Sequence, residues 1–313
     1  MAEPKIEIRD FRRSDIPFLN EIMKKVYGFT KDESYWIWWY EQNPLGNNSS
    51  KVAVSDGRVV AHAGGIPVEL HSGGEKLVAN LSGDLLADPE FRVRRAFLTT
   101  FVASMNCAQD KGDAASWGFA NEAGMAAVAD KAKAVIRGAP VPRLDKVVNA
   151  TPFIQRKLKS GPIAALIGAP ANAAIRLALS MRMPRADRQG SMEEIKAFDE
   201  RFDDLWDRVA PDFPRTVVRG SKYLNWRYIK NPLYEYAIFA AVNDKTVDGY
   251  IILRTIMEAG IKRGLIIDLL ADIKDQKTWN TLLARGIDYL IRERADLITC
   301  WMFDHIPVYQ TLK

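Results

Sequence analysis

Three arginines stand between a predicted strand and a predicted helix, where they could bind an anion. Arg92, Arg94 and Arg95 follow Asp88-Pro89 at the end of an apolar strand and precede an apolar helical face. A guanidinium group can fork onto phosphate oxygens, and a helix N-terminus adds unpaired N–H groups and the positive end of its dipole. The alternative is a solvated run of arginines on a surface turn. The placement favours a phosphate-binding turn.

The chain also repeats itself. The pattern Y-x-x-W-x-Y-x-x-N-P-L occurs at Tyr35–Leu45 and again at Tyr223–Leu233, at an offset of 188. Two further pairs keep the same order at an offset of 184, namely Asp84-Leu-Leu-Ala-Asp88 with Asp268-Leu-Leu-Ala-Asp272 and Trp117-Gly-Phe119 with Trp301-Met-Phe303. Repetition in the same order at nearly the same offset indicates copies of one structural unit. We therefore predict one domain at 1–150, a linker at 151–190 and a second domain at 191–313.

Hydrophobic periodicity predicts the elements of the first copy. An antiparallel meander is expected, because Asp56-Gly57 and Gly73-Gly74 are turn sequences between apolar runs. Asn43-Pro44 should end the helix of the repeated motif, since the residue before a proline avoids the α region. The predicted strands are Lys5–Arg9, Lys51–Ser55, Val59–Leu70, Lys76–Ala87, Ala114–Phe119, a strand near Val135 and Leu144–Val148; the helices are Ile16–Val26, the motif helix, one with the core face Phe97, Leu98, Phe101, Val102 and Met105, and Glu122–Lys133.

This order of elements resembles the GNAT fold of acyl-coenzyme A N-acyltransferases. The most specific stretch is Asp84–Phe97, which is similar to the fourth strand, the phosphate-binding turn and the third helix of that family. The family turn reads R/Q-x-x-G-x-G/A, whereas Arg95 and Phe97 occupy the two glycine positions here. The resemblance implies an α/β fold, an α+β mixed sheet, in two tandem GNAT-like domains.

The resemblance also implies a cofactor site. Acetyl-CoA or another acyl-CoA would be the co-substrate, with backbone groups of Leu85, Leu86 and Ala87 holding the pantetheine arm. The turn Arg92, Arg94, Arg95 and Ala96 would bind the pyrophosphate. The side chain of Arg95 hinders the close approach of a pyrophosphate to the backbone that glycine would allow. It also adds a guanidinium group that can bind phosphate. In the second copy the same six positions, Gln276–Thr281, hold one cation and no glycine, so we predict that this copy does not bind the cofactor.

Transfer of an acyl group to an amine needs a base for the amine proton and an acid for the leaving thiolate. The resemblance places Asp84 and Glu122 near the acceptor amine, and we favour Glu122 as the base. Asp84 recurs as Asp268, which favours a structural role, and Glu122 has the alternative of a first-turn helix carboxylate. The tyrosine that serves the family as the acid has no clear equivalent in the first copy, and Tyr309 is its nearest match in the second.

The repeated aromatic motif offers two candidate acceptor contacts. Trp38 and Tyr40 recur in the second copy, as core residues should, whereas Trp36 and Trp39 do not recur. We therefore predict that Trp38 and Tyr40 pack in the core and that only Trp36 and Trp39 are candidates for contact with an acceptor.

Composition limits the class of protein. With 48% hydrophobic and 27% charged residues the chain is globular, and its net charge of +5 gives no strong signal for nucleic acid. Cys107 and Cys300 form no CxxC pair, so a reduced, cytoplasmic location is the default expectation. The three histidines lack metal-binding spacing, and no metal is predicted. The acceptor is expected to be an amine on a small molecule, such as an amino sugar or amino acid, or on a lipid-linked precursor.

The predicted linker is basic and partly apolar. From Phe153 to Arg188 the sequence carries seven Lys and Arg residues against Asp187 alone. A solvated interdomain helix is the expected structure, and peripheral contact with an anionic membrane is the alternative. Pro162, Pro170 and Arg176 interrupt the apolar stretch Gly161–Leu179, which argues against a membrane span.

Two questions remain open in the sequence. The second copy ends soon after Phe303, so its last strands are expected to be missing unless the linker or a neighbouring molecule completes the sheet; an oligomer would be one way to do so. Two rival functions also fit a tandem GNAT-like chain with an altered phosphate turn. One is a Fem-like aminoacyl-tRNA-dependent transferase, and the other is a non-catalytic binding protein.

Overall fold

The computed structural model describes residues 6–94, 96–119, 141–182, 191–304, 306 and 309–312. Its strands are β1 Ile6–Asp10, β2 Lys51–Ser55, β3 Arg58–Ser72, β4 Glu75–Ala87, β5 Ser116–Gly118, β6 Arg143–Val147, β7 Ser191–Glu194, β8 Arg215–Val217, β9 Ala237–Asn243, β10 Thr246–Glu258, β11 Ile261–Ala271 and β12 Leu297–Trp301. The helices are α1 Ile16–Tyr27, α2 Glu33–Trp36, α3 Ala96–Asp110, α4 Thr151–Leu158, α5 Gly161–Arg182, α6 Glu200–Val209, α7 Ser221–Leu224, α8 Gln276–Arg292 and α9 Tyr309–Leu312.

Two compact units divide these elements. The first combines Met1–Gly138 with Phe213–Leu233, and the second combines Ala139–Asp212 with Tyr234–Lys313. Each unit therefore takes a segment from the other half of the chain. The predicted boundaries at 150 and 190 follow the repeat in the sequence. The compact units differ from them, because residues 213–233 belong to the first unit and residues 139–150 belong to the second.

The first unit contains a mixed sheet in the order β1-β2-β3-β4-β5, with β8 paired to the far end of β3. The pairs from β1 to β4 are antiparallel, and β4 pairs with β5 in parallel. This confirms the predicted meander and its two glycine turns. Gly57, Gly73 and Gly74 all have positive φ, the backbone conformation that glycine adopts without strain.

Both copies of the aromatic motif lie in the first unit. α2 continues into a π-helical turn at Ile37–Glu41, and α7 continues into another at Asn225–Ile229. The Trp38 indole N–H donates to the Trp226 carbonyl at 2.8 Å, and the Trp226 indole N–H donates to the Trp38 carbonyl at 3.1 Å. The final turn of a helix leaves carbonyl oxygens without backbone partners, and here the indole N–H of each copy donates to such a carbonyl oxygen in the other copy. Trp38 and Tyr40 are buried, which confirms the predicted core role.

The helix α3 packs on this sheet through a narrower face than predicted. Its buried residues are Ala96, Thr100, Phe101, Ser104 and Ala108. The predicted core face was wrong at Val102, which is 38% exposed. Small side chains at every third or fourth position let the helix lie close to the strands, so bulky residues are displaced to its flanks.

The second unit contains a sheet in the order β6-β12-β11-β10-β9-β7. The β11–β12 pair is parallel and the other pairs are antiparallel. From β7 to β12 this order matches β1 to β5 of the first unit strand for strand. Helices α6 and α8 bury their apolar faces here, including Phe202, Trp206, Trp279 and Leu283.

The strand β6 belongs to the second sheet and not to the first. The sequence around Leu144–Val148 was expected to finish the first copy, but β6 pairs antiparallel with β12, with Leu144 opposite Cys300. An earlier segment of the chain thus completes the second sheet, which is one of the outcomes that the sequence left open. An uncovered β12 would leave a row of unpaired N–H and C=O groups, and β6 pairs with them. The Thr299 hydroxyl also donates to Asp145 Oδ1 at 2.5 Å.

Candidate functional site

The central strands of the first unit separate part-way along β4. β4 pairs with β5 only from Asn80 to Ser82, yet it continues to Ala87 with β3 along its other edge. Gly118 is the last paired residue of β5, and a Cβ there would lie 2.8 Å from the Ser82 carbonyl oxygen. Glycine thus allows a close approach just before the strands part. Within the described ranges no strand pairs with this edge of β4 beyond Ser82, and we call this stretch of β4 the open edge.

A bulge marks the start of this open edge. The β3–β4 register shifts between His62 and Gly64, opposite Asp84. Asp84 has φ 47°, in the left-handed region that aspartate tolerates better than most residues. Its carbonyl oxygen lies 2.8 Å from His62 Nδ1. The bulge lies just past Ser82 and Gly118, the last pair between β4 and β5.

Three donors hold the Asp84 carboxylate. Lys31 Nζ lies 2.5 Å from Oδ1, and the hydroxyls of Tyr35 and Tyr40 lie 2.9 and 3.0 Å from Oδ2. The Lys31 ammonium also lies over the Tyr35 ring, 3.7 Å from its centroid. These three donors occupy most of the lone pairs of the Asp84 carboxylate.

Burial shapes the protonation of two neighbours. Burial raises the pKa of the Tyr40 phenol well above its ordinary value, and the nearby charge of Asp84 raises it further. Tyr40 therefore stays protonated and donates. Burial lowers the pKa of His62, so this imidazole is neutral at neutral pH. Gly64 leaves room for the Tyr40 hydroxyl, since a Cβ there would lie 2.0 Å from it.

The turn after β4 is built by Asp88. Its Oδ1 accepts the Glu90 N–H at 3.1 Å, its carbonyl accepts the Phe91 N–H at 2.9 Å, and Lys25 Nζ lies 2.8 Å from Oδ2. The pKa of Asp88 is lowered: burial acts to raise it, but the hydrogen bonds from Lys25 and Glu90 outweigh burial. A 3-10 helix, Pro89–Arg94, follows and leads toward α3.

The second unit repeats this turn. Asp272 Oδ1 accepts the Lys274 N–H at 2.8 Å, and the Asp272 carbonyl accepts the Asp275 N–H at 3.0 Å. Each of these contacts matches one of Asp88 at an offset of 184 residues. The repeated aspartates are thus turn-forming residues in both units.

Comparisons with known proteins agree with this geometry. Residues 7–127 match the family model described as Acetyltransferase (GNAT) domain. Over these residues the chain is similar to GNAT acetyltransferases. No curated protein sequence matches the chain.

Solved structures show the GNAT fold over nearly the whole chain. A probable N-acyltransferase of unknown function from Enterococcus faecalis has a TM-score of 0.62 at 10% identity, with 95% of this chain and 65% of that one covered. A GCN5-related N-acetyltransferase from Anabaena variabilis has a TM-score of 0.64 at 11% identity, covering 98% and 68%. Saccharomyces cerevisiae N-myristoyltransferase with bound myristoyl-CoA has a TM-score of 0.60 at 10% identity, covering 96% and 73%. The chain spans about two thirds of the length of the first two of these proteins.

The described residues among the predicted cofactor contacts lie along the open edge, in the 3-10 helix beyond it and at the start of α3. Leu85 is half-buried, and the Leu86 and Ala87 side chains are buried, which leaves backbone groups as the means of contact. Ala96 is fully buried with Ala53, Ala61 and Ala87, where α3 lies close to the sheet. The side chains of Arg92 and Arg94 and the whole of Arg95 lie outside the described residues, as does Glu122.

The structure places the two candidate acceptor tryptophans in the core. Trp36 is 0% exposed and Trp39 is 9% exposed. Trp36 packs edge-on against His62, and Trp39 stacks on Trp226. Because neither ring presents a face to solvent, packing is favoured over contact with an acceptor.

Sequence reasoning missed the residues that surround Asp84. Tyr35, Tyr40 and Asp84 all recur in the second copy, and this shared recurrence was the available signal for a contact between them. Lys31 and His62 carried no such signal. Among the described residues, no group of three His, Cys, Asp or Glu side chains could hold a metal ion.

Proposed function

We propose that this chain is an acyl-CoA-dependent N-acyltransferase that acts on an amine of a small-molecule or lipid-linked acceptor. The observation that carries the proposal is the parting of β4 from β5 at Ser82, which leaves the edge of Leu85–Ala87 open beside a bulge. Acyl transfer is the chemistry named for the matching family and for the similar solved structures. An acyl-CoA donor is further supported by the similar structure that holds myristoyl-CoA.

The residues present fit such a donor. Strand-edge N–H and C=O groups of Leu85–Ala87 can pair with the amides of an extended pantetheine arm, as one strand pairs with another. The 15-residue helix α3 then begins at Ala96, just after the turn built by Asp88. Its N-terminal N–H groups, with the guanidinium groups of the preceding turn, would neutralise a pyrophosphate. Acyl-CoA would supply the activated thioester.

The proposed base is Glu122, which would take the proton of the attacking amine. Asp84 remains the alternative, but its three hydrogen-bond donors favour a role in holding the bulge and the open edge. A base needs a lone pair directed at the amine, and donors that already occupy the carboxylate weaken it for that purpose. Glu122→Gln should lower turnover while leaving CoA binding near normal. Unchanged turnover would contradict this assignment.

The first experiment is thermal unfolding with and without CoA and acetyl-CoA. A ligand that binds only the folded state stabilises it by about 2.7 kcal/mol at ~100 Kd. The rise in melting temperature should shrink in Arg95→Ala. It should persist in the matched control Arg13→Ala, an exposed arginine paired with Glu41 in the same unit. No shift up to millimolar ligand would refute CoA binding and favour the aminoacyl-tRNA-dependent or non-catalytic alternatives.

A further inference from the structure

The helices α4 and α5 form a hairpin in the second unit. They are joined through Lys159, whose φ of 52° reverses the chain after α4. The helices approach closely at Gly168, where a Cβ would lie 2.3 Å from Thr151 Oγ1 and 3.2 Å from the Thr151 Cα. No larger residue fits there without moving backbone, so Gly168 fixes the contact between the two helices.

Hydrogen bonds fix the hairpin to the sheet of its own unit. The Asn172 side chain accepts the Ala150 N–H at 2.7 Å and donates to Asn149 Oδ1 at 2.8 Å. Asn149 in turn donates to Asp296 Oδ1 at 2.6 Å, just before β12. These contacts place one face of α5 against the rest of the second unit, and Ala164 and Leu179 on that face are buried.

The opposite face of α5 is an apolar stripe with no covering element among the described residues. Its large members are far from buried: Ile163 is 51% exposed, Leu166 77%, Ile167 47%, Leu177 62% and Met181 74%. At about 100° per residue these positions, with Pro170 and Ala174 between them, fall within roughly 60° of one line along the helix. From Ile163 to Met181 the stripe is about 27 Å long, at 1.5 Å per residue.

The charge around the stripe has one sign. Arg156, Lys157, Lys159 and Arg176 are exposed on the hairpin. The sequence holds no aspartate or glutamate from Thr151 to Ala186. An amphipathic helix with an apolar face and basic flanks lies in the interface of anionic lipid, with the apolar side chains between the acyl chains and the cations at the headgroups.

Two other occupants of the stripe fit less well. A second copy of the hairpin would bring both sets of cations together, with no acidic side chain in the segment to neutralise them. A membrane span is allowed by length and composition, since Gly161–Leu179 is the one described stretch that is long and apolar enough. A span would, however, have to release the contacts of Asn172 and expose Arg176 to hydrocarbon.

We propose that the α4–α5 hairpin docks the protein on an anionic membrane surface, with the stripe of Ile163, Leu166, Ile167, Leu177 and Met181 inserted at the interface. This docking is independent of the proposed acyl transfer, because it needs neither the open edge of β4 nor CoA.

The test is co-sedimentation of the 313-residue chain with phosphatidylcholine vesicles, with and without phosphatidylglycerol. Binding is expected on the anionic vesicles alone and should weaken at high salt, because exposed charges are screened. Leu166→Gln with Leu177→Gln should reduce binding by roughly tenfold per leucine. Arg156→Gln, Lys157→Gln and Lys159→Gln should each reduce it by about fivefold.

A matched control separates the stripe from general surface hydrophobicity. Met257 on β10 is 67% exposed in the same unit, and Met257→Gln should leave vesicle binding unchanged. All these substitutions are on the surface, so circular dichroism and melting temperature should match those of the unsubstituted chain. Three results would each overturn the proposal: equal binding to both kinds of vesicle, a soluble homodimer that the leucine variant dissociates, and retention on the membrane through alkaline carbonate extraction, which indicates a span.

Discussion

Replacing Asp84 by asparagine should separate the structural role of this residue from a catalytic one. Asparagine has the same shape and tolerates the φ of 47° seen at this position, so the bulge keeps its backbone. The substitution removes the charge that three donors share. The asparagine side chain must also point its NH2 group either at the Lys31 ammonium or at the two tyrosine hydroxyls. All of these groups are donors, so at least one hydrogen bond is lost and two donors face each other.

The expected loss of stability is about 2–3 kcal/mol. A hydrogen bond to a charged group contributes about 1.5–3 kcal/mol, and breaking a buried ion pair costs about 3–5 kcal/mol. The Lys31 side chain is 17% exposed and that of Asp84 is 12% exposed, so the ammonium can regain part of its hydration, which reduces the upper figure. Asp84→Ala should lose about 1 kcal/mol more than Asp84→Gly, because alanine is strained at positive φ and glycine is not.

Urea unfolding followed by tryptophan fluorescence measures these changes, since Trp36, Trp38 and Trp39 lie in the same core as Tyr40. In a double-mutant cycle, Lys31→Met combined with Asp84→Asn should recover about 1 kcal/mol or more, because the unpaired ammonium is gone. A loss below about 0.5 kcal/mol for Asp84→Asn would refute the argument that the three donors hold this carboxylate. Intact stability with abolished turnover would instead identify Asp84 as the base.

Two further outcomes follow from the ionisable groups. Burial, with the negative charge of Asp268 nearby, raises the pKa of the Cys300 thiol to about 12. A thiol reagent at pH 8 should therefore modify the partly exposed Cys107 and should reach Cys300 only after unfolding. Rapid modification of both thiols would contradict this. Burial acts to raise the pKa of Asp88, but the hydrogen bonds from Lys25 and Glu90 and the charges of Lys25 and Arg58 together lower it below its ordinary 3.8. The contribution of Asp88 to stability is therefore complete above that value and is lost as the pH falls through the folded-state pKa. The difference in unfolding free energy between the unsubstituted chain and Asp88→Asn, measured in urea from pH 7 downward, should therefore be constant near neutrality and shrink below about pH 4, and a difference that grows in acid would show the opposite shift.

The sequence by itself determined the local elements of the first copy that the structure describes, and their order; the predicted helix Glu122–Lys133 and the strand near Val135 lie outside the described residues. Alternating apolar residues and the glycine turns fixed the meander from Lys51 to Ala87, because strand periodicity and positive-φ turns depend on neighbours along the chain. Trp38 and Tyr40 recur in both copies of the motif, and this recurrence identified them as core positions. Asp88 and Asp272 recur because each builds the same turn within two or three residues of itself.

Only the tertiary structure decided which distant groups meet. Leu144–Val148 reads as a strand in any context, but its partner is β12, formed about 150 residues later, and no local pattern identifies that partner. The contacts of Lys31 and His62 with Asp84 span 53 and 22 residues and leave no local periodicity. The reciprocal bonds of Trp38 and Trp226 likewise exist only once two helix ends, 188 residues apart, leave carbonyl oxygens that nothing in their own helices can satisfy.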